Sequence, residues 1–126
     1  MTRKNISSEA PWEDQVGYCR AVRIGNIIEV SGTAAIKDGV TAGSNAYEQT
    51  QICLQIIKEA IEKAGGKMED VVRTRIYVTD IEQWVMIGKA HGEVFGSIKP
   101  ATSMVQVSRL IEPDMLVEIE ATAVIM

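Results

Sequence analysis

Alternation of apolar and polar residues is sharpest at the end of the chain. Val117, Ile119, Ala121 and Ala123 occupy every second position, with Glu118 and Glu120 set among them. Strand side chains alternate faces, so both carboxylates point one way and the apolar set the other. A terminal strand with two acids on one face either meets water there or meets a second chain that supplies cations. Upstream, ATSMVQV reads as another strand, expected to pair with this one across a short polar loop. A hairpin is signalled where VGYCRAVRI and IIEVSGTAAI flank Gly25-Asn26, a two-residue turn of the primed type. Setting Ile24 opposite Ile27 pairs Val22 with Glu29, Arg20 with Ser31 and Tyr18 with Thr33. Tyr18, Arg20, Val22, Glu29, Ser31 and Thr33 then share one face, and Cys19, Ala21, Ile28 and Val30 the other.

The spacing changes to a helical one after residues 36–44, a loop by its glycines. Asn45 with Glu48 resembles a capping box. Ala46, Cys53, Ile56, Ile57, Ala60, Ile61 and Ala64 form one apolar stripe that ends at Gly65-Gly66. A third strand follows, VVRTRIYVTD, predicted to turn Val72, Thr74, Ile76 and Val78 to one side and Arg73, Arg75, Tyr77 and Thr79 to the other. Asp80 starts a second helix whose shared face is Trp84, Ile87, His91, Val94 and Phe95. Gly88 and Gly92 weaken it by about 1 kcal/mol each relative to Ala and are expected to mark close contacts.

The predicted order is β-β-α-β-α-β-β, an α+β fold with one mixed sheet and two helices on one face. The other sheet face collects Tyr18, Arg20, Glu29, Ser31, Arg73, Arg75, Tyr77, Glu118 and Glu120. That set is too mixed for a core and too aromatic for a plain wet surface, so an oligomer is expected. The 126 residues read as a single domain, with polar residues 1–15 as an N-terminal arm over the surface.

A net charge of −4 argues against nucleic acid as the main partner, because phosphate binding needs clustered cations. No apolar run approaches the ~18–20 residues of a membrane span, and the N-terminus lacks the apolar stretch of a signal peptide, so a cytoplasmic protein without a membrane partner is expected. Cys19 and Cys53 read as reduced, packed small hydrophobes. No His/Cys/acid cluster has metal spacing. Ser31 has no adjacent base for triad chemistry. His91, the only histidine, lies on an apolar helix face and reads as a contact residue rather than a catalyst.

In order along the chain stand Gly17-Tyr18, Gly25-Asn26, Val30-Ser31-Gly32, a helix ending AGG, Asp70-Val71-Val72, Val78-Thr79-Asp80, Pro100-Ala101 and Val117-Glu118-Ile119-Glu120-Ala121. This ordered set, covering most of the chain, resembles the RidA/YjgF family, also known as endoribonuclease L-PSP. The resemblance implies a chorismate-mutase-like homotrimer, with the sheets forming a central barrel and three small-molecule clefts between subunits. It also implies cofactor-free hydrolysis of reactive enamines and imines to 2-keto acids and ammonia. In such members an arginine on the strand entered through Pro-Ala holds the substrate carboxylate, and a glutamate on the last strand positions the attacking water. A tyrosine and a serine complete the cleft. The matching positions here are Tyr18, Ser31 and Glu118, while the arginine position is Thr102. A cysteine position is Met104 and an asparagine position Gly88. The chain thus resembles members that lack the arginine, whose activity does not carry over from RidA proper.

Arg20 shares a face with Tyr18 and Ser31. It offers either a substitute guanidinium to the cleft or a structural ion pair with Glu29 or Glu118. Glu118 either acts in the cleft or neutralises Arg73 or Arg75, and Glu120 reads as structural. Three functions follow: an imine or enamine hydrolase using Glu118, with Tyr18, Arg20, Ser31 and Thr102 binding substrate; a non-catalytic metabolite-binding trimer; and, least supported, a ribonuclease.

Overall fold

The Gly25-Asn26 hairpin folds in the predicted register: β2 (Ala21–Ile24) pairs with β3 (Ile27–Ala34) through Ala21↔Val30, Val22↔Glu29 and Ile24↔Ile27. The computed structural model describes residues 2–8 and 10–126. Met1 and Glu9, part of the expected arm, lie outside them. The rest of the arm is more regular than its polar sequence suggests. Arg3–Ile6 forms a strand, β1, paired antiparallel with β2. Its pairing is backbone-driven, and Arg3 and Lys4 charge this sheet edge, which discourages further pairing. Pro11–Val16 forms a short helix, α1, with proline in its first turn and Gly17 closing it at φ 90°. The Glu13 carboxyl accepts hydrogen bonds from the Ser7 and Ser8 hydroxyls and the Ser8 N–H. Burial would raise its pKa, but these bonds outweigh burial and lower it.

The six-stranded sheet runs β1-β2-β3-β8-β6-β7, where β6 is Val71–Val78, β7 Ala101–Gln106 and β8 Val117–Val124. Only β6 and β7 are parallel, so the sheet is mixed. The expected pairing of the last two strands is corrected: β8 sits between β3 and β6, and β7 reaches the sheet beside β6. The expected loop at 36–44 contains a small hairpin, β4 (Ile36–Lys37) with β5 (Val40–Thr41), turning at Asp38-Gly39 where both φ angles are positive.

Helices α2 (Ala46–Lys63) and α3 (Trp84–Phe95) are the two long helices. In α2, Cys53, Ile57, Ala60, Ile61 and Ala64 are buried as expected, and burial pushes the Cys53 thiol up to about 12. Asn45 accepts the Glu48 N–H at 2.9 Å, but the Glu48 carboxyl reaches Ser44 rather than closing the box on Asn45. A 3₁₀ turn at Ile81–Gln83, capped by Asp80, precedes α3. That turn rotates the helix face. Ile87, Ala90 and Phe95 are buried, while Trp84 and Val94 are exposed, contrary to the predicted stripe. A Cβ at Gly88 or Gly92 would meet nothing within 4 Å, so neither marks a close contact.

Two bulges alter the strand faces. The ladder between β3 and β8 shifts between Val30 and Thr33, and that between β6 and β8 between Val71 and Arg73. Each inserts a residue and reverses the faces on one side of it. Thr33 is therefore fully buried rather than beside Tyr18, and Val71 replaces Val72 in the core. The core lies between the helices and the sheet face formed by Ile28, Val30, Ile76, Val78, Val117, Ile119, Ala121 and Ala123. Among the described residues, no helix is long and apolar enough to cross a membrane.

Candidate functional site

Tyr18, Arg20, Gly32 and Glu118 line one cleft of about 650 Å³, closed on other sides by Trp12 of α1, Ile56 of α2 and Met115. Three sequence-predicted residues thus meet. Backbone bonds hold the floor: the Arg20 N–H donates to the Ile6 carbonyl (2.7 Å), and the Ser31 N–H to the Arg20 carbonyl (2.9 Å). The bulge turns the Gly32 carbonyl toward Arg20, whose Nη2 donates to it at 2.6 Å. The guanidinium carbon lies 5.8 Å from the Tyr18 ring centroid, within cation–π range.

Glu118 and Glu120 share a face, as the alternation requires, but their surroundings differ. Glu120 accepts a hydrogen bond from the Tyr77 hydroxyl (3.0 Å) and has Arg75 at 3.9 Å. Burial and that bond together raise the Tyr77 pKa. Glu118 has no hydrogen-bond donor among the described residues. Desolvation raises its pKa, Arg20 opposes the rise and Glu120 adds to it. Neutralisation of Glu118 by Arg73 is not seen, since Arg73 donates to the Ser103 hydroxyl (2.8 Å). Nor does Arg20 pair with Glu29, which instead accepts from Thr122.

Gly32 makes room for this carboxylate: a Cβ there would lie 2.5 Å from Glu118 Oε2. The obstacle is the tip of a flexible side chain, so Gly32→Ala is expected to re-aim Glu118 rather than unfold the protein. Its unfolding free energy should stay within about 1 kcal/mol of wild type. Carboxyl NMR titration should show the Glu118 pKa falling toward the ordinary value as its environment opens.

Ser31 stands apart from the cleft lining. Its hydroxyl donates to the Cys19 carbonyl (2.7 Å), and it lines a shallower neighbouring depression of about 450 Å³ that shares Tyr18. Thr102 is not brought to the cleft within this chain. It lies on β7, three strand spacings from β3, roughly 14 Å across the sheet. Its exposed hydroxyl bonds to Thr74 (2.7 Å), and Thr74, fully buried, bonds to His91 Nε2 (2.9 Å). Burial lowers the His91 pKa. Met104 lies on the same strand, partly buried against the core. A further depression of about 590 Å³ between α2 and α3 contains none of the candidate residues. Sequence reasoning missed Trp12, Ile56, Ile111 and Met115 as cleft walls; single-strand periodicity carries no signal for side chains that meet only through tertiary structure.

The family model for endoribonuclease L-PSP matches residues 8–125. A RutC family protein of Pyrococcus abyssi is 36% identical over 125 residues, covering 98% of each chain. Among solved structures, Rv2704 of Mycobacterium tuberculosis, a member of the YjgF/YER057c/UK114 family, is 47% identical with a TM-score of 0.93, covering 98% of this chain and all of that one. The YjgF gene product of E. coli is 31% identical with a TM-score of 0.84, covering 96% and 98% of the two chains. The match runs from the N-terminal arm to the end of β8, through every element that builds the cleft, and the chain belongs to the RidA/YjgF family of endoribonuclease L-PSP-like proteins.

Proposed function

We propose that this protein is a cytoplasmic, cofactor-free homotrimer that hydrolyses small imines or enamines in clefts between subunits. The carrying observation is Glu118, a carboxyl in a cleft, raised in pKa by burial and without a protein hydrogen-bond donor among the described residues. A carboxylate so placed has its lone pairs free for water, and burial makes it a stronger base than an ordinary carboxylate.

Starting from the protonated imine, Glu118 takes a proton from water as the oxygen attacks the C=N carbon, giving a neutral carbinolamine. It returns that proton to nitrogen and then takes the hydroxyl proton as the C–N bond breaks, so that a C=O product and ammonia leave and Glu118 releases the last proton to solvent. An enamine enters the same path after protonation at carbon. Tyr18 and Arg20 bind the substrate from the cleft wall, and Ser31 lines the neighbouring depression that Tyr18 also borders. Thr102 would reach a cleft only from a neighbouring copy, which is why this reading needs the trimer. The net charge of −4 favours small metabolites over nucleic acid and sets ribonuclease activity last.

The test is release of keto acid and ammonia from freshly generated imino acids, with light scattering on the same sample. Turnover above the buffer rate by a trimer is expected; buffer-level rates for several imines, or a monomer at micromolar concentration, would overturn the reading. Thr102, at the position where resemblance implies an arginine, favours a second reading: a trimer that binds metabolites in the same cleft without turnover. Tight binding with no product would select it.

A further inference from the structure

Away from Glu118 and Arg20 the cleft is walled by large apolar side chains. Trp12 and Val16 of α1, Ile36 of β4, Ile56 of α2, and Ile111 and Met115 ahead of β8 all line it. They come from four separate parts of the chain, and Val16 and Ile111 remain exposed. A mostly apolar cleft with a few polar groups at one end is the usual form of a small-molecule site. A molecule of only a few carbon atoms fills little of about 650 Å³ and leaves these side chains in water.

The polar end indicates what the other half of the ligand carries. Arg20 is 8% exposed; its Nη2 donates to the Gly32 carbonyl, its Nε is enclosed, and Tyr18 lies against the guanidinium. The side-on pair of Nε and Nη2 is therefore closed to a carboxylate. Lys63, the other cation of the lining, is exposed along with Glu59 and Asp38, where solvent screens all three. Glu118 is the reverse case. It is half-buried, and no donor reaches it among the described residues. A desolvated acceptor left open favours a ligand that brings an N–H, and a charged N–H makes the stronger bond to a carboxylate.

We propose that the cleft takes a protonated imine that bears a ring-sized apolar group and no carboxylate, its N–H on Glu118 and its apolar group against Trp12, Ile56 and Met115. This rests on the reading of the cleft as the reacting site and names the substrate class within it. A carboxylate has lone-pair sites for more than one donor, so Glu118 holds the N–H and still meets the attacking water. Trp12 and Tyr18 add aromatic faces, which attract a cation. An acid would set its own carboxylate near that of Glu118, with the Arg20 side-on fork closed to it. The cleft therefore selects by charge and by apolar bulk.

Three probes titrated into the full-length protein at neutral pH test this by NMR: benzylammonium, ethylammonium and phenylacetate. Benzylammonium should bind at least about tenfold more tightly than ethylammonium, through its buried ring, and than phenylacetate, through its charge. Glu118→Gln should bring benzylammonium and phenylacetate within about threefold of each other. Trp12→Ala should narrow the gap between the two ammonium ions to about threefold, while Trp12→Phe keeps most of it. In the wild type the Trp12 indole and Glu118 carboxyl signals should both move with benzylammonium, a readout that needs no folded variant. Ethylammonium or phenylacetate bound as tightly as benzylammonium, no binding of any probe, or binding that leaves both signals still would overturn the proposal. Preference for benzylammonium in a protein that hydrolyses no imine would uphold the selectivity and sink the hydrolase. Turnover of small imino acids beside equal binding of all three probes would do the reverse.

Discussion

Glu118→Gln should slow imine hydrolysis by about 10²–10⁴-fold, the usual contribution of a positioned acid–base group, without lowering the protein's stability. The second half of this expectation follows from the sign of its pKa shift. Burial raises the folded-state value of Glu118 above that of an ordinary carboxyl, with Arg20 only partly offsetting it. Between the unfolded and folded values the native state holds the proton more tightly, so this residue favours folding at low pH. That advantage is lost as pH rises through the unfolded and then the folded value, and ionised Glu118 is a net burden above both. Glutamine keeps the shape and carries no charge. The variant's thermal midpoint at neutral pH should therefore equal or exceed that of the wild type, and its decline with rising pH should be shallower. In the wild type the turnover rate should rise with pH through a midpoint above the ordinary carboxylate range. A variant that is both inactive and less stable would mark Glu118 as scaffold, a countercharge for Arg20 and nothing more. One that is stable and fully active would remove it from the chemistry.

The contrast between Glu118 and Glu120 shows how far a strand pattern can be read. Alternation placed both acids on one face, and the sheet confirms it. What period 2 cannot express is the identity of the neighbours. Glu120 meets Tyr77 and Arg75 across the β8–β6 ladder, whereas Glu118 faces a glycine where β3 bulges. The bulge itself left one trace, Gly32 within a strand run, a residue that often marks an irregular ladder. No such trace exists at Val72, where the second bulge exchanges Val71 for Val72 in the core. The hairpin register was legible because Gly25-Asn26 fixes it locally. β1 was not, because its RKNI sequence has no alternation and its pairing uses backbone groups alone. For α1 the signals were present, a proline at the start and a glycine at the end, but six residues are too few for a periodic stripe. Tyr18, Arg20 and Glu118 meet because β8 inserts beside β3, a long-range choice. The same choice sends Thr102 to the far edge, out of reach of that cleft within one chain.

Phe95→Ala should be the most destabilising single truncation with a traceable path to Thr102, costing about 3–5 kcal/mol. Phe95 is the only phenylalanine in the chain and is 2% exposed at the end of α3, inside the core. Its ring centre lies 4.7 Å from that of His91, which is bonded to Thr74 and through it to Thr102. Its carbonyl also accepts the N–H groups of Ile98 and Lys99 as the chain turns toward β7. Alanine removes the ring but not that carbonyl, so the turn should persist while a cavity opens behind His91. Against a total stability of about 5–15 kcal/mol for typical domains, such a loss lowers the thermal midpoint by on the order of 10–20 °C. Phe95→Leu, which refills much of the space, should cost about 1.5 kcal/mol or less. Chemical denaturation of the two variants beside the wild type measures both figures. In Phe95→Ala the His91 ring should also gain freedom, seen as averaged ring NMR signals, while Phe95→Leu keeps them distinct. A cost below about 1 kcal/mol for the alanine variant would mean that the core closes around the missing ring. His91 would then be held by Thr74 alone.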